Sequence, residues 1–169
     1  MVLVLLNEKE KEETLGVMDD QSGEMVTMFE YDAFWMDVNG KTYNDVIASA
    51  KREKTAEIDA YDTSPAVNGF VLNGERVWLD FELRDRVYQG NERLQRIGRT
   101  DTTLWLGKQC YNLSIEQAQN IISHIEAYAK DCYNVTAQHK AAVEKMQTVE
   151  DVLGYDYKKG YPEQLKMEV

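Results

Sequence analysis

From Ile115 onward, apolar and small residues recur in alternating steps of three and four. Ile115, Ala118, Ile122, Ile125, Ala129, Cys132, Thr136, His139, Val143 and Met146 form one stripe, the heptad spacing of a helix that buries one seam. Ile121, Tyr128, Val135 and Ala142 repeat every seven residues beside it. Ser114 with Gln117 reads as a capping box at the start, and neither Gly nor Pro interrupts the stretch from Gly107 to Gly154. The spacing predicts one unbroken helix of roughly 50 Å from Ile115 to Met146.

Elsewhere the pattern switches between strand and helix. Val2–Leu6, Met25–Phe29 and Phe34–Val38 read as short strands, the last ending at the turn dipeptide Asn39-Gly40. Residues 7–24 carry loop signals: the charge run Glu8–Glu13, then Gly16, Asp19, Asp20, Ser22 and Gly23. Thr42 with Asp45 caps a predicted helix from Tyr43 to Tyr61, with Val46, Ile47, Ala50 and Ile58 on one face. Ser64-Pro65 closes it, because the residue before a proline is pushed out of helical geometry. Phe70–Leu79 reads as a hairpin turning at Asn73-Gly74. A charged helix follows from Phe81 to Ile97, capped by Asp80 and ended by Gly98, with Leu83, Val87, Leu94 and Ile97 as its buried stripe. Thr103–Leu113 reads as a second hairpin turning at Gly107-Lys108. Thr148 with Asp151 predicts a last short turn, and residues 154–169 read as an irregular tail.

The expected fold class is α+β: two β-hairpins packed with helices, and one long heptad-patterned C-terminal helix. Two regions are expected, an acidic one over residues 1–60 with short strands and one helix, and an α+β domain over residues 61–169.

Charge narrows the partners. The chain of 169 residues carries a net charge of −11. Ten acids against three lysines in residues 1–41 account for most of it. An acidic chain is repelled by nucleic-acid phosphates and by anionic membrane, so neither is an expected partner. Six of the seven arginines fall between Arg76 and Arg99. Glu82, Asp85, Glu92 and Asp101 neutralise them, which favours a solvated helix surface over a nucleic-acid face. An alternative is that they dock the acidic N-terminal segment of the same or another chain. Met1–Leu6 is too short for a signal-peptide core, and no apolar run is long enough to span a bilayer, so synthesis in the cytoplasm is expected.

No constellation for catalysis or metal binding emerges from spacing. His124 and His139 stand 15 residues apart, about 22 Å on one helix, too far to share an ion. Cys132 falls in the seam and is expected to be a buried, inert thiol; Cys110 on the second hairpin is expected to be packed. The glycines never cluster into a phosphate-binding loop. The expectation is a non-enzymatic protein without a cofactor or metal; an enzyme with an unrecognised site, which a low-pKa thiol at Cys110 or a tightly bound metal would reveal, is the alternative. Its ten seam residues, Ile115 to Met146, form the candidate partner-packing surface. Homo-oligomerisation through that seam is one outcome. The other is that the seam covers the protein's own hairpins.

Several stretches, in order, resemble a small domain that recurs in tailed phages and prophages near fibre proteins. They are Asp62-Thr63-Ser64-Pro65-Ala66-Val67-Asn68, Val77-Trp78-Leu79 within the first hairpin, and Asp101–Gly107. Ala127-Tyr128, Cys132-Tyr133-Asn134-Val135-Thr136, His139-Lys140-Ala141, Tyr155-Asp156-Tyr157 and Gly160-Tyr161-Pro162 continue the series. Together they span about two-thirds of the chain, and gut Bacteroidales phages are the context they suggest. The resemblance implies a virion structural protein attached at a tail or head fibre or another appendage, with other phage structural proteins as partners. A fibre-assembly chaperone that is not retained in the particle is the alternative. No catalytic residue comes with the resemblance.

Overall fold

The computed structural model describes residues 41–106 and 108–169 and, within residues 1–40, the backbone of five strands. The fold is α+β. The chain divides into two compact units, residues 1–58 with 140–156, and residues 59–139 with 157–169. The first division lies next to the expected boundary at residue 60. The second differs: residues 140–156 group with the N-terminal region instead of with the rest of the expected 61–169 domain.

In the first unit, β1 (Val2–Leu5), β2 (Leu15–Met18) and β3 (Met25–Val26) form an antiparallel sheet in that order. β4 (Met28–Tyr31) and β5 (Phe34–Asp37) form a hairpin with Met28 opposite Asp37. β2 lies in the stretch whose glycine and acids read as loop. Gly16 sits inside the ladder opposite Val4, so this glycine is a strand residue, not a breaker. The Glu8–Glu13 run and Asn39-Gly40 lie outside the described residues. The helix α1 runs from Tyr43 to Asp62. Its capping box is as expected: the Asp45 carboxylate accepts from the Thr42 amide at 2.9 Å, and the Thr42 hydroxyl accepts from the Asp45 amide at 3.3 Å. These bonds hold the Asp45 carboxyl below its ordinary range. Val46, Ile47, Ala50 and Ile58 are buried, as their spacing predicts. The short helix α4 (Val149–Leu153) is capped by Thr148, whose side chain accepts from the Asp151 amide.

In the second unit, β6 (Phe70–Leu72) and β7 (Glu75–Val77) form the first hairpin. Asn73 and Gly74 both take positive φ, 48° and 82°, the geometry that matches strand twist in a two-residue turn. β8 (Asp101–Leu106) and β9 (Gln109–Ser114) form the second, starting two residues earlier than the pattern suggests, and Gly107 in its turn lies outside the described residues. α2 (Phe81–Arg96) starts at Asp80, whose carboxylate accepts from the Leu83 amide at 2.8 Å. It ends at Gly98, φ 86°, where the Gly98 amide returns to the Gln95 carbonyl and the Arg99 amide to that of Leu94. That reciprocal pair is what a left-handed residue after a helix provides.

The long helix α3 is one element of 31 residues, Ile115–Lys145, about 46 Å. The Ser114 and Gln117 groups bond reciprocally at 3.0 and 3.1 Å, as their spacing predicts. Ile121, Ile122 and Ile125 pack with Phe70, Leu72, Leu79, Leu104 and Leu106 from the two hairpins. Each such side chain contributes ~1.5–3 kcal/mol on leaving water. The tail, expected to be irregular, adds a strand. β10 (Lys166–Met167) pairs parallel with β6, and Asn73 bonds to the Val169 backbone through both ends of its amide. No helix among the described residues is long and apolar enough to cross a membrane.

Candidate functional site

The seam residues lie on the inner side of α3. Ile115, Ala118, Ile122, Ile125, Cys132, Thr136 and Val143 are buried, and Ala129, His139 and Met146 are half-buried. Seven of the ten are thus buried within the single chain. For Ile122 and Ile125 the cover is the chain's own hairpins.

Beyond Ile125 the seam turns polar, and there it builds a cluster. Thr136 donates from its hydroxyl to Asp62 Oδ1 at 2.6 Å and lies 2.8 Å from the Tyr161 hydroxyl. A carboxylate only accepts, and Thr136 has one proton, so Tyr161 donates to Thr136 and Thr136 to Asp62. The Tyr128 hydroxyl donates to the Val67 carbonyl at 3.0 Å, and Tyr128, Cys132 and Val67 form one buried nucleus. The Tyr61 ring meets Tyr157 and Tyr161 edge-on, with centroids 5.7 and 5.5 Å apart, the arrangement that aromatic quadrupoles favour. His139 lies 5.7 Å from the Tyr161 ring, and its Nε2 donates to the Lys159 carbonyl at 2.9 Å.

Burial sets the protonation of this cluster. It pushes the Tyr128 and Tyr161 hydroxyls and the Cys132 thiol above their ordinary values. For Tyr161 the bond to Thr136 pulls the other way, and for Cys132 the Tyr128 hydroxyl does. The groups stay neutral where a nucleophile would need to ionise. A small cavity of about 130 Å³ adjoins the cluster, lined by Asp62, Val67, Asn68, Trp78, Ala129 and Cys132 among others.

Sequence reasoning missed a second feature, Arg84. Grouped with the solvated arginines, it is in fact buried. It donates to Glu126 Oε2 and to the Leu79 carbonyl, both at 2.7 Å, and its guanidinium lies 5.2 Å from the Trp78 ring centroid. The available signal was spacing, because Arg84, Val87 and Asn91 share a face and Arg84 and Asn91 are the buried residues of α2. Leu83, Val87 and Leu94 are only half-buried, and Ile97, expected in the buried stripe, is exposed. Among the remaining arginines, Arg96 pairs with Glu92 and Arg99 with Asp101, the neutralisation the charge pattern implies.

Both cysteines are free thiols. Cys132 is buried as its seam position predicts, but Cys110 is exposed, not packed. It pairs across the hairpin with exposed Trp105, while Leu104 and Leu106 on either side of Trp105 point inward. Strand alternation puts the Trp105–Cys110 pair on the outer face. His124 is exposed. Comparison of the chain with family models, curated proteins and solved structures finds no match.

Proposed function

We propose that this chain is a non-enzymatic structural protein of a tailed-phage particle, seated at a fibre or tail appendage and acting through protein–protein packing. One observation carries the reading. Most of the separated stretches that carry the phage resemblance meet in a single cluster: Asp62 and Val67 from the first, Trp78 from the hairpin, Tyr128, Cys132 and Thr136 from α3, and Tyr157 and Tyr161 from the tail. Tyr161, Thr136 and Asp62 form one hydrogen-bond chain, and the Tyr128 hydroxyl bonds to the Val67 carbonyl. This supports a role for those residues in locking the tail and helix into one shape, which is what an assembly component requires. The test is mass spectrometry of purified particles from an infected or induced culture. The protein should be present at a stoichiometry comparable to other appendage components. Co-purification with unassembled fibres together with absence from particles would instead identify an assembly chaperone.

A further inference from the structure

Two stripes on the exposed side of α2 match each other in spacing and oppose each other in charge. Phe81, Asp85, Tyr88 and Glu92 are spaced 4, 3, 4, and so are Arg86, Gly90, Arg93 and Ile97. At 3.6 residues per turn the stripes lie about 140° apart around the helix. The first borders α3. Its Phe81, Asp85 and Tyr88, with Arg84, Ile122, Ser123 and Glu126, line a groove of about 380 Å³, and Glu92 lies one turn further along, paired with Arg96. The groove's one cation, Arg84, is buried against Glu126, which leaves Asp85 and a half-exposed Glu126 on the rim. The second stripe is basic and ends in Ile97. Phe81 is 65% exposed and Ile97 77%, so each stripe carries one large apolar side chain open to a contact.

We infer that the groove beside α3 takes the Arg86–Ile97 stripe of a second copy of this chain. Because 4-3-4 reads the same in both directions, the two stripes register when the helices run antiparallel. Phe81 then meets the second copy's Ile97, Asp85 meets its Arg93, Tyr88 its Gly90 and Glu92 its Arg86. Every pair is complementary: apolar with apolar, acid with base, and the large ring against the residue without a side chain. In the reverse direction Phe81 and Tyr88 would face arginines while Asp85 faced Gly90 and Glu92 faced Ile97. Three further observations favour this occupant. Asp85, Arg86 and Arg93 make no ion pair among the described residues. A glycine inside a helix weakens it relative to alanine, yet nothing among the described residues crowds Gly90: a Cβ there would have no neighbour within 4 Å. Close approach from outside accounts for the missing side chain. The contact is also the helix-in-groove mode, with anchors at helical spacing.

The contact joins unlike surfaces, so each added copy leaves one groove and one stripe open, and assembly proceeds to a ring or a filament instead of stopping at a pair. It rests on charge and spacing in α2 and stands apart from the phage reading. Sedimentation velocity of the full-length protein across a dilution series at low salt tests it. The average mass should rise with concentration past that of a dimer and fall as salt shortens the screening length. Asp85→Arg and Arg93→Glu should each hold the protein at monomer mass at concentrations where the unaltered chain assembles. Both side chains are exposed, and far-UV circular dichroism should match the parent. Mixing the two variants in equal amounts should restore assembly, since each then presents the charge the other needs. A wild-type monomer at the highest soluble concentration in low salt, assembly indifferent to both variants, or a mixture that stays monomeric would overturn the inference.

Discussion

Along one stripe of α3, Ile122 and Ile125 press into the two hairpins, while Cys132 and Thr136, further along the helix, meet Tyr128, Asp62 and Tyr161. Both stretches are buried and both follow the heptad. They hold the fold by different physics. The apolar stretch gains from removing surface from water, which is non-directional and tolerates small shifts. The polar stretch gains only where each donor finds its acceptor, and a misplaced group there loses its bond and keeps its desolvation cost. The first stretch brings the helix to the sheets. The second selects one register for the tail that crosses it, because Tyr161 reaches Thr136 from a single position. The lesson is that a heptad seam read from sequence marks a buried face without saying which force uses it.

The largest effect should come from the apolar stretch. Ile125→Ala removes a fully buried side chain from the centre of the hairpin core and should cost about 3–4 kcal/mol, read as a lower urea midpoint. Thr136→Val keeps the volume and removes the hydroxyl between Asp62 and Tyr161. It should cost about 2 kcal/mol, because Asp62 loses a donor while part-buried. The contrast sharpens with Tyr161→Phe. Combined with Thr136→Val it should cost less than the sum of the two single changes, since both break one hydrogen-bond chain. Strict additivity would mean that the polar stretch is a set of independent contacts.

The sequence is most legible where signals are local. Four helix starts follow from a side chain and an amide three residues away: Thr42, Asp80, Ser114 and Thr148. The Asn73-Gly74 turn follows from two residues that tolerate positive φ. What stays hidden depends on distant partners. β10 has two residues in a polar tail and exists because β6, some 95 positions earlier, offers an edge to it. β2 contains a glycine that local rules read as a stop. Arg84 is charged, and only the carboxylate of Glu126 and the Leu79 carbonyl make its burial affordable. The cluster around Thr136 was visible only as interruptions in an otherwise apolar seam. Their meaning required the position of Asp62 and of Tyr161.

The smallest expected effect separates the two stretches by pH. An unfolded chain releases the Cys132 proton near 9.0 and those of Tyr128 and Tyr161 near 10.0, whereas the folded chain holds all three to higher pH. Above about pH 8.5 the unfolded state therefore binds fewer protons than the folded one, and stability falls as pH rises. Below that range the contribution of these groups is complete and constant. Between pH 7 and pH 9.5 the loss should be about 1 kcal/mol, most of it from the thiol, whose ordinary value is lowest. Cys132→Ala should lower stability at neutral pH through lost packing, yet flatten the alkaline slope, because the group that ionises first on unfolding is gone. Ile125→Ala should shift the whole curve downward and leave its slope unchanged, as no titrating group is touched. Urea midpoints for both variants at pH 7, 8.5 and 9.5 decide the matter. If the two variants gave parallel curves, burial of the thiol would not be coupled to folding, and the polar stretch would differ from the apolar one in hydrogen bonding alone.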